Sequence, residues 1–188
     1  MENNNSKLSN NALSVMALAS EYCRVIELAA STEPSVFVDK VIRLLPRIYM
    51  AVTDLPKDDY FSNNDYLYGT SHLEESYYNQ VMQNIATLLG ENDSYLETFH
   101  QDMKYSDTPI AATISESLAD IFQVLFNFIE DVRNADIDDI NEHLSNLRSD
   151  FADYWSQIVC NVMRPLNEIV MSQSDIDYDK NSDEMDFV

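Results

Sequence analysis

Apolar residues recur every three or four positions over most of the chain, which is the spacing of one buried face of an α-helix. Five such stripes follow one another. They are Val15, Leu18, Tyr22, Val25 and Ala29; Phe37, Val41, Leu44, Ile48 and Val52; Tyr77, Val81, Ile85 and Leu88; Ile114, Leu118, Ile121, Leu125, Phe128 and Val132; and Ile140, Leu144, Leu147, Phe151, Trp155, Ile158 and Val162. The fourth helix has a second apolar row, which predicts a central position. The pattern therefore predicts an all-α fold, an antiparallel bundle of about five long helices.

Capping residues predict where these helices begin. Short polar side chains accept hydrogen bonds from the free N–H groups of a first turn, and proline is tolerated there. The candidate caps are Ser9, Asn10 or Asn11; Thr32 ahead of Pro34; Ser71 with Glu74 as a capping box; Asp107 or Thr108 ahead of Pro109; and Asp136 with Asp139. Gly90 follows the third stripe and is predicted to end that helix, because glycine readily adopts left-handed backbone.

Two prolines lie inside predicted helices. Pro46 has no N–H to donate to the carbonyl of Ile42, and Pro165 has none for the carbonyl of Asn161. We therefore expect the second helix to kink or break, and the fifth helix to bend or divide.

Three stretches lack the helical period. Residues 54–70 are rich in Asp, Asn and Tyr and predict the longest loop. Residues 91–106 are mixed and predict at most a short helical turn around Tyr95 to Phe99. Residues 173–188 carry six acidic residues against one lysine, so we expect one helical bundle domain over residues 1–172 and a disordered tail after it.

Charge and composition exclude several classes of function. The chain has 33 acidic and 11 basic residues and a formal charge of -22, so a nucleic-acid backbone would be repelled. Only 2 glycines occur, and none forms a phosphate-binding loop motif. No apolar run is long enough to predict a membrane span, and the polar start is unlike a secretory signal. Cys23 and Cys160 form no paired motif and predict no disulfide, so a cytoplasmic location is expected.

The sequence predicts no catalytic residue, metal site or cofactor. A di-metal bundle needs Glu-x-x-His on two helices, and only Glu97 to His100 has that spacing. Glu116 and Asp120 lie off the apolar seam of the fourth helix and are expected to be ordinary helix acids. Ser117, one turn from Asp120, is expected to bond locally to the backbone rather than to act in catalysis.

Tyrosines and acids are concentrated in the middle of the chain. Tyrosine offers a large contact area with few rotatable bonds, and rings beside carboxylates suit a Lys- or Arg-bearing partner. The candidate partner-binding residues are Asp58, Asp59, Tyr60, Phe61, Tyr66, Tyr68, Tyr77 and Tyr78. The alternative is that these rings pin a long loop onto the bundle.

Three stretches resemble an uncharacterised bacterial family of all-helical proteins, classified as a domain of unknown function. They are Leu44 to Tyr49 with Leu55 and Pro56; Ser117 to Ile121; and Phe151 with Tyr154, Trp155, Pro165 and Leu166. The resemblance covers about residues 21–170 and implies a helical bundle with no assigned activity. Relatives tend toward histidine before the tryptophan, where this chain has Tyr154, which argues against a proton or metal role at that position.

These observations leave the biochemical function unknown and favour a helical protein-binding or scaffold module. Its expected partner is a basic protein or peptide, and the chain itself is expected to be a monomer or a weak homo-oligomer. The alternative is a metal-binding or enzymatic bundle with a site between helices.

Overall fold

The computed structural model describes residues 8–56, 71–97 and 110–183, with the backbone alone for Asp138 and residues 173–183. The helices are α1 (Asn10–Glu27), α2 (Pro34–Thr53), α3 (Glu75–Leu89), α4 (Ile114–Val132), α5 (Ile137–Asp150) and α6 (Ser156–Asp183). Single 3-10 turns span Ala29–Ser31 and Gly90–Asp93. The predicted all-α fold is confirmed, with one small sheet added to it.

Helix α4 is the centre of the bundle, as its two apolar rows predict. It packs against α1, α3, α5 and α6, while α2 closes the other side by packing on α1 and α6. Leu118, Ile121, Phe122 and Leu125 of α4 have no exposed surface. Burial of such side chains stabilises the fold by roughly 25 cal/mol for each Å² of apolar surface removed from water.

A two-stranded antiparallel sheet occupies the segment that the helical period leaves open. Strand β1 (Ser94–Glu97) pairs with β2 (Ile110–Thr113), in a register that places Tyr95 opposite Ala112. The short helical turn expected around Tyr95 is therefore wrong, since this segment finds a partner strand distant in sequence. The start of α4 is also later than predicted, because residues 110–113 form β2 and Thr113 caps the helix by accepting from Glu116 N–H.

The other predicted helix ends agree in part. Ser9 caps α1 by accepting from Ala12 N–H at 3.0 Å, and Gly90 ends α3 with a φ of 56°. Thr32 does not cap α2, because its hydroxyl donates instead to the carbonyl of Leu28. The Ser71 capping box is also wrong, since its hydroxyl donates to the carbonyl of Leu73.

Neither internal proline divides a helix: α2 runs through Pro46, and α6 runs through Pro165. The irregularity lies earlier, where the π-helical turn Phe151–Trp155 joins α5 to α6. A π turn holds one more residue per hydrogen-bonded turn than an α-helix. The buried seam beyond Trp155 passes through Val159 rather than the predicted Ile158.

Helix α6 extends beyond Ser172 into the acidic end of the chain, for which disorder stays a prediction. Both cysteines are free, with Cys23 buried and Cys160 exposed. Within residues 8–56, 71–97 and 110–183, no helix combines the length and the apolar character needed to cross a membrane.

Candidate functional site

Of the predicted binding residues, the structure describes the two tyrosines at the start of α3. Tyr77 and Tyr78 are both partly buried there. The others, Asp58, Asp59, Tyr60, Phe61, Tyr66 and Tyr68, lie outside the described residues. The predicted surface is therefore described at its α3 end.

Tyr77 ties α3 to its neighbours. Its hydroxyl donates to Glu27 of α1 at 2.9 Å, and its ring meets those of Phe122 and Phe126 edge to face. Burial and the Glu27 carboxylate raise the pKa of Tyr77 to about 12. This tyrosine has the packing role that the alternative interpretation assigns to the ring cluster.

Tyr78, the next residue of α3, contacts Asp120 of α4. Its hydroxyl donates to Asp120 Oδ1 at 2.8 Å. Burial raises the pKa of the Asp120 carboxyl, the Tyr78 hydrogen bond lowers it, and the charge of Glu116 raises it again, with a net increase. Burial also raises the pKa of Tyr78, together with its bond to Asp120. A partly desolvated carboxylate thus lies between two helices with a phenol on one side.

Glu116 and Tyr154 complete this group. Glu116 lies one helical turn before Asp120, and like charges four residues apart on a helix destabilise it by a few tenths of a kcal/mol. Tyr154, in the π turn, is 58% exposed. Its pKa is raised by burial first and then by the charges of Asp120 and Glu116. We call Tyr78, Glu116, Asp120 and Tyr154 the Asp120 site.

Further hydroxyl groups border the Asp120 site. The hydroxyl of Tyr95 in β1 lies 3.4 Å from both the Ser117 hydroxyl and Glu97 Oε2. Ser117 itself donates to the carbonyl of Thr113 at 3.0 Å, which confirms the local bond expected from its position. Beneath the site, the buried Tyr22 hydroxyl donates to the carbonyl of Leu118 at 2.9 Å. These bonds fix the α4 backbone that presents Asp120.

No cation of the described residues forms an ion pair with Asp120 or Glu116. Acids elsewhere do find partners: Asp39 pairs with Arg43 at 2.8 Å, and Glu130 pairs with Arg133 at 2.9 Å. Two carboxylates that no described cation neutralises, near the exposed Tyr154, favour an ammonium or guanidinium group from another molecule.

The part of the chain that the structure describes contains no cluster of three or more His, Cys, Asp or Glu side chains arranged to hold a metal ion. The Glu97 to His100 pair falls partly outside that part, because His100 is not described. His72 instead binds Asp131 of α4 at 2.7 Å, and His143 approaches the same carboxylate at 3.8 Å. Asp131 thereby ties α5 and the residues before α3 to α4.

Sequence reasoning named Tyr78 as a candidate but did not predict the side chains around it. Glu116 and Asp120 were expected to be ordinary helix acids because they lie off the apolar seam of α4. That placement is correct, yet Asp120 is partly buried and in contact with Tyr78 of α3. Among sequence signals, only the four-residue spacing of two acids, without a base one turn away, marks this face.

Comparison with known proteins places the chain in a family. A model of the domain of unknown function DUF5063 matches residues 6–172. The crystal structure of protein BF1032 from Bacteroides fragilis is similar, with a TM-score of 0.70 and 27% sequence identity. The match covers 86% of this chain and 92% of that one. No curated protein matches. The family match spans most of the sequence and includes all the residues of the Asp120 site, so the chain belongs to the DUF5063 family, whose description assigns no function.

Proposed function

We propose that this protein is a helical binding module of the cytoplasm that receives a lysine or arginine side chain of a basic protein partner at the Asp120 site. One observation carries the proposal: Asp120 is partly buried, hydrogen-bonded to Tyr78, adjacent to Glu116, and paired with no cation of the described residues. An incoming cation would offset both the desolvation cost of this charge and its repulsion from Glu116.

The surroundings support a side chain rather than a free metal ion as the ligand. Tyr154 exposes 58% of its surface and offers a ring face to the stem or head of a long cationic side chain. The overall charge of -22 would speed the approach of a basic partner and discriminate against acidic ones. The predicted residues Asp58, Asp59, Tyr60, Phe61, Tyr66 and Tyr68 belong to this proposal as an extension of the same surface.

The test uses a short glycine-flanked lysine peptide and its Nε-acetylated counterpart, titrated into the full chain by calorimetry. Acetylation removes the charge, so the proposal predicts measurable binding of the lysine peptide alone. Asp120→Asn keeps an oxygen that can accept from Tyr78 but removes the charge. It should weaken lysine-peptide binding by about tenfold or more, since hydrogen bonds to charged groups contribute about 1.5–3 kcal/mol.

Glu142→Gln is the matched control, because it removes one negative charge from an exposed position on α5. Its affinity for the lysine peptide should stay within about twofold of the original, since remote exposed charges are screened by salt. Equal loss in both variants would show that only the overall charge attracts the peptide. Equal binding of the acetylated peptide would also contradict the proposal.

A further inference from the structure

A cleft with the opposite charge preference lies between α1 and α2, on a part of the surface unrelated to the Asp120 site. It has a volume of about 260 Å³. Its lining comprises Glu21, Arg24, Val25 and Leu28 of the α1 segment, with Thr32 and Lys40 across from them. Two of the chain's 11 basic residues thus face one cleft in a strongly acidic protein.

Neither Arg24 nor Lys40 forms an ion pair with any described residue, although acids outnumber bases threefold in this chain. The helix dipole accounts for a cation at only one of these two positions. Arg24 lies in the last turn of α1, where the helix dipole favours a cation. Lys40 lies beyond the first turn of α2 and gains nothing from a dipole at either end.

Apart from the carboxylate of Glu21, the rest of the lining is apolar or already hydrogen-bonded. Leu28 is 45% exposed and forms an apolar wall together with Val25. The Thr32 hydroxyl donates to the carbonyl of Leu28 at 2.8 Å, so its proton is not available to a ligand. The donors left for an anion are therefore the guanidinium of Arg24 and the ammonium of Lys40.

From this lining we infer that the cleft binds a small organic carboxylate with a short apolar body. The carboxylate lies between Arg24 and Lys40, and the apolar body lies against Val25 and Leu28. The volume is below the range of about 300–1,000 Å³ typical of drug-sized ligands, which limits the ligand to a small molecule. Glu21 opposes the ligand's charge and reduces its affinity.

The test is a titration of the ¹⁵N-labelled full chain with 4-methylpentanoate at fixed ionic strength, followed by backbone amide shifts. The expected result is a saturable shift of amides lining the cleft, which 4-methylpentanamide, the uncharged analogue, does not produce. Arg24→Gln and Lys40→Gln should each weaken binding about threefold to fivefold, the upper part of the range expected for an exposed charge pair. Arg47→Gln removes the same charge from α2 outside the cleft and should leave the affinity unchanged.

Removing the negative charge from the cleft sharpens the test. Glu21→Gln should tighten 4-methylpentanoate binding, whereas Glu142→Gln, with the same change of charge on α5, should not. The inference is overturned if the cleft amides do not shift, if the amide analogue binds equally well, or if Arg24→Gln and Lys40→Gln bind like Arg47→Gln. None of these outcomes depends on the Asp120 site.

Discussion

At the scale of single residues, the surroundings of Asp120 disfavour the charged form of its carboxyl group. Asp120 is partly desolvated and faces the like charge of Glu116, and both effects raise its pKa. The hydrogen bond from Tyr78 offsets only part of this increase in pKa. A charged group retained at a cost to stability is characteristic of binding sites, where affinity rather than stability is served.

Replacing Asp120 by Asn should therefore stabilise the fold at neutral pH. A carboxyl whose pKa is higher in the folded than in the unfolded state binds more protons when folded, so its ionisation lowers stability as pH rises through that window. Asn removes this loss and still accepts from Tyr78. Urea unfolding should show a higher midpoint for the variant at pH 7 and a vanishing difference at pH 3. A variant less stable than the original at pH 7 would contradict the account.

Asp93 illustrates the opposite case, a buried acid that serves stability. It accepts from both the N–H and the hydroxyl of Ser115, at 2.7 and 2.8 Å, and so holds the first turn of α4. Asp93→Ala leaves both donors without this partner and should cost about 2–3 kcal/mol of unfolding free energy. Thr113→Ala, which removes only the cap of the same helix, should cost about 1 kcal/mol. Similar losses in the two variants would contradict the special role of Asp93.

At the scale of elements, the apolar stripes were sufficient to predict the helices and the central place of α4. They could not predict contacts between distant segments. Strand β1 covers four residues, too few for a period of two to stand out, and it is defined by pairing with β2. The π turn is equally hidden, because Phe151 and Trp155 have the spacing of an ordinary α-helix. Asp120 was not singled out from the sequence for the same reason, because its contact with Tyr78 joins residues 42 positions apart.

The π turn contains Tyr154, whose pKa is raised by burial and by the charges of Asp120 and Glu116. Removing the turn therefore tests the contribution of Tyr154 to the proposed site. Deleting Ala152, an exposed residue of the turn, should convert it to α-helix while Phe151 and Trp155 stay on one face. The melting temperature should change by no more than about 3 °C, because the core face is retained. Lysine-peptide affinity should fall at least about threefold as Tyr154 moves away. Unchanged affinity in the folded deletion variant would show that the π turn does not shape the site.

At the scale of the whole molecule, excess negative charge destabilises the compact state while favouring a basic partner. Raising sodium chloride from about 0.02 to about 0.5 M screens this repulsion and should raise the melting temperature by a few degrees, in calorimetry at pH 7. The same increase in salt should weaken the binding of the lysine peptide to the protein. A melting temperature that falls with salt would show that favourable ion pairs outweigh the repulsion.

The most direct test of the account is to map where a bound lysine side chain lies. Backbone amide shifts of the ¹⁵N-labelled full chain, recorded during titration with the lysine peptide, locate it without a variant. The account predicts saturable shifts centred on Tyr78, Asp120 and Tyr154, absent with the acetylated peptide. Saturable shifts centred elsewhere on the described helices, or none at all, would contradict the assignment of the Asp120 site as the binding surface.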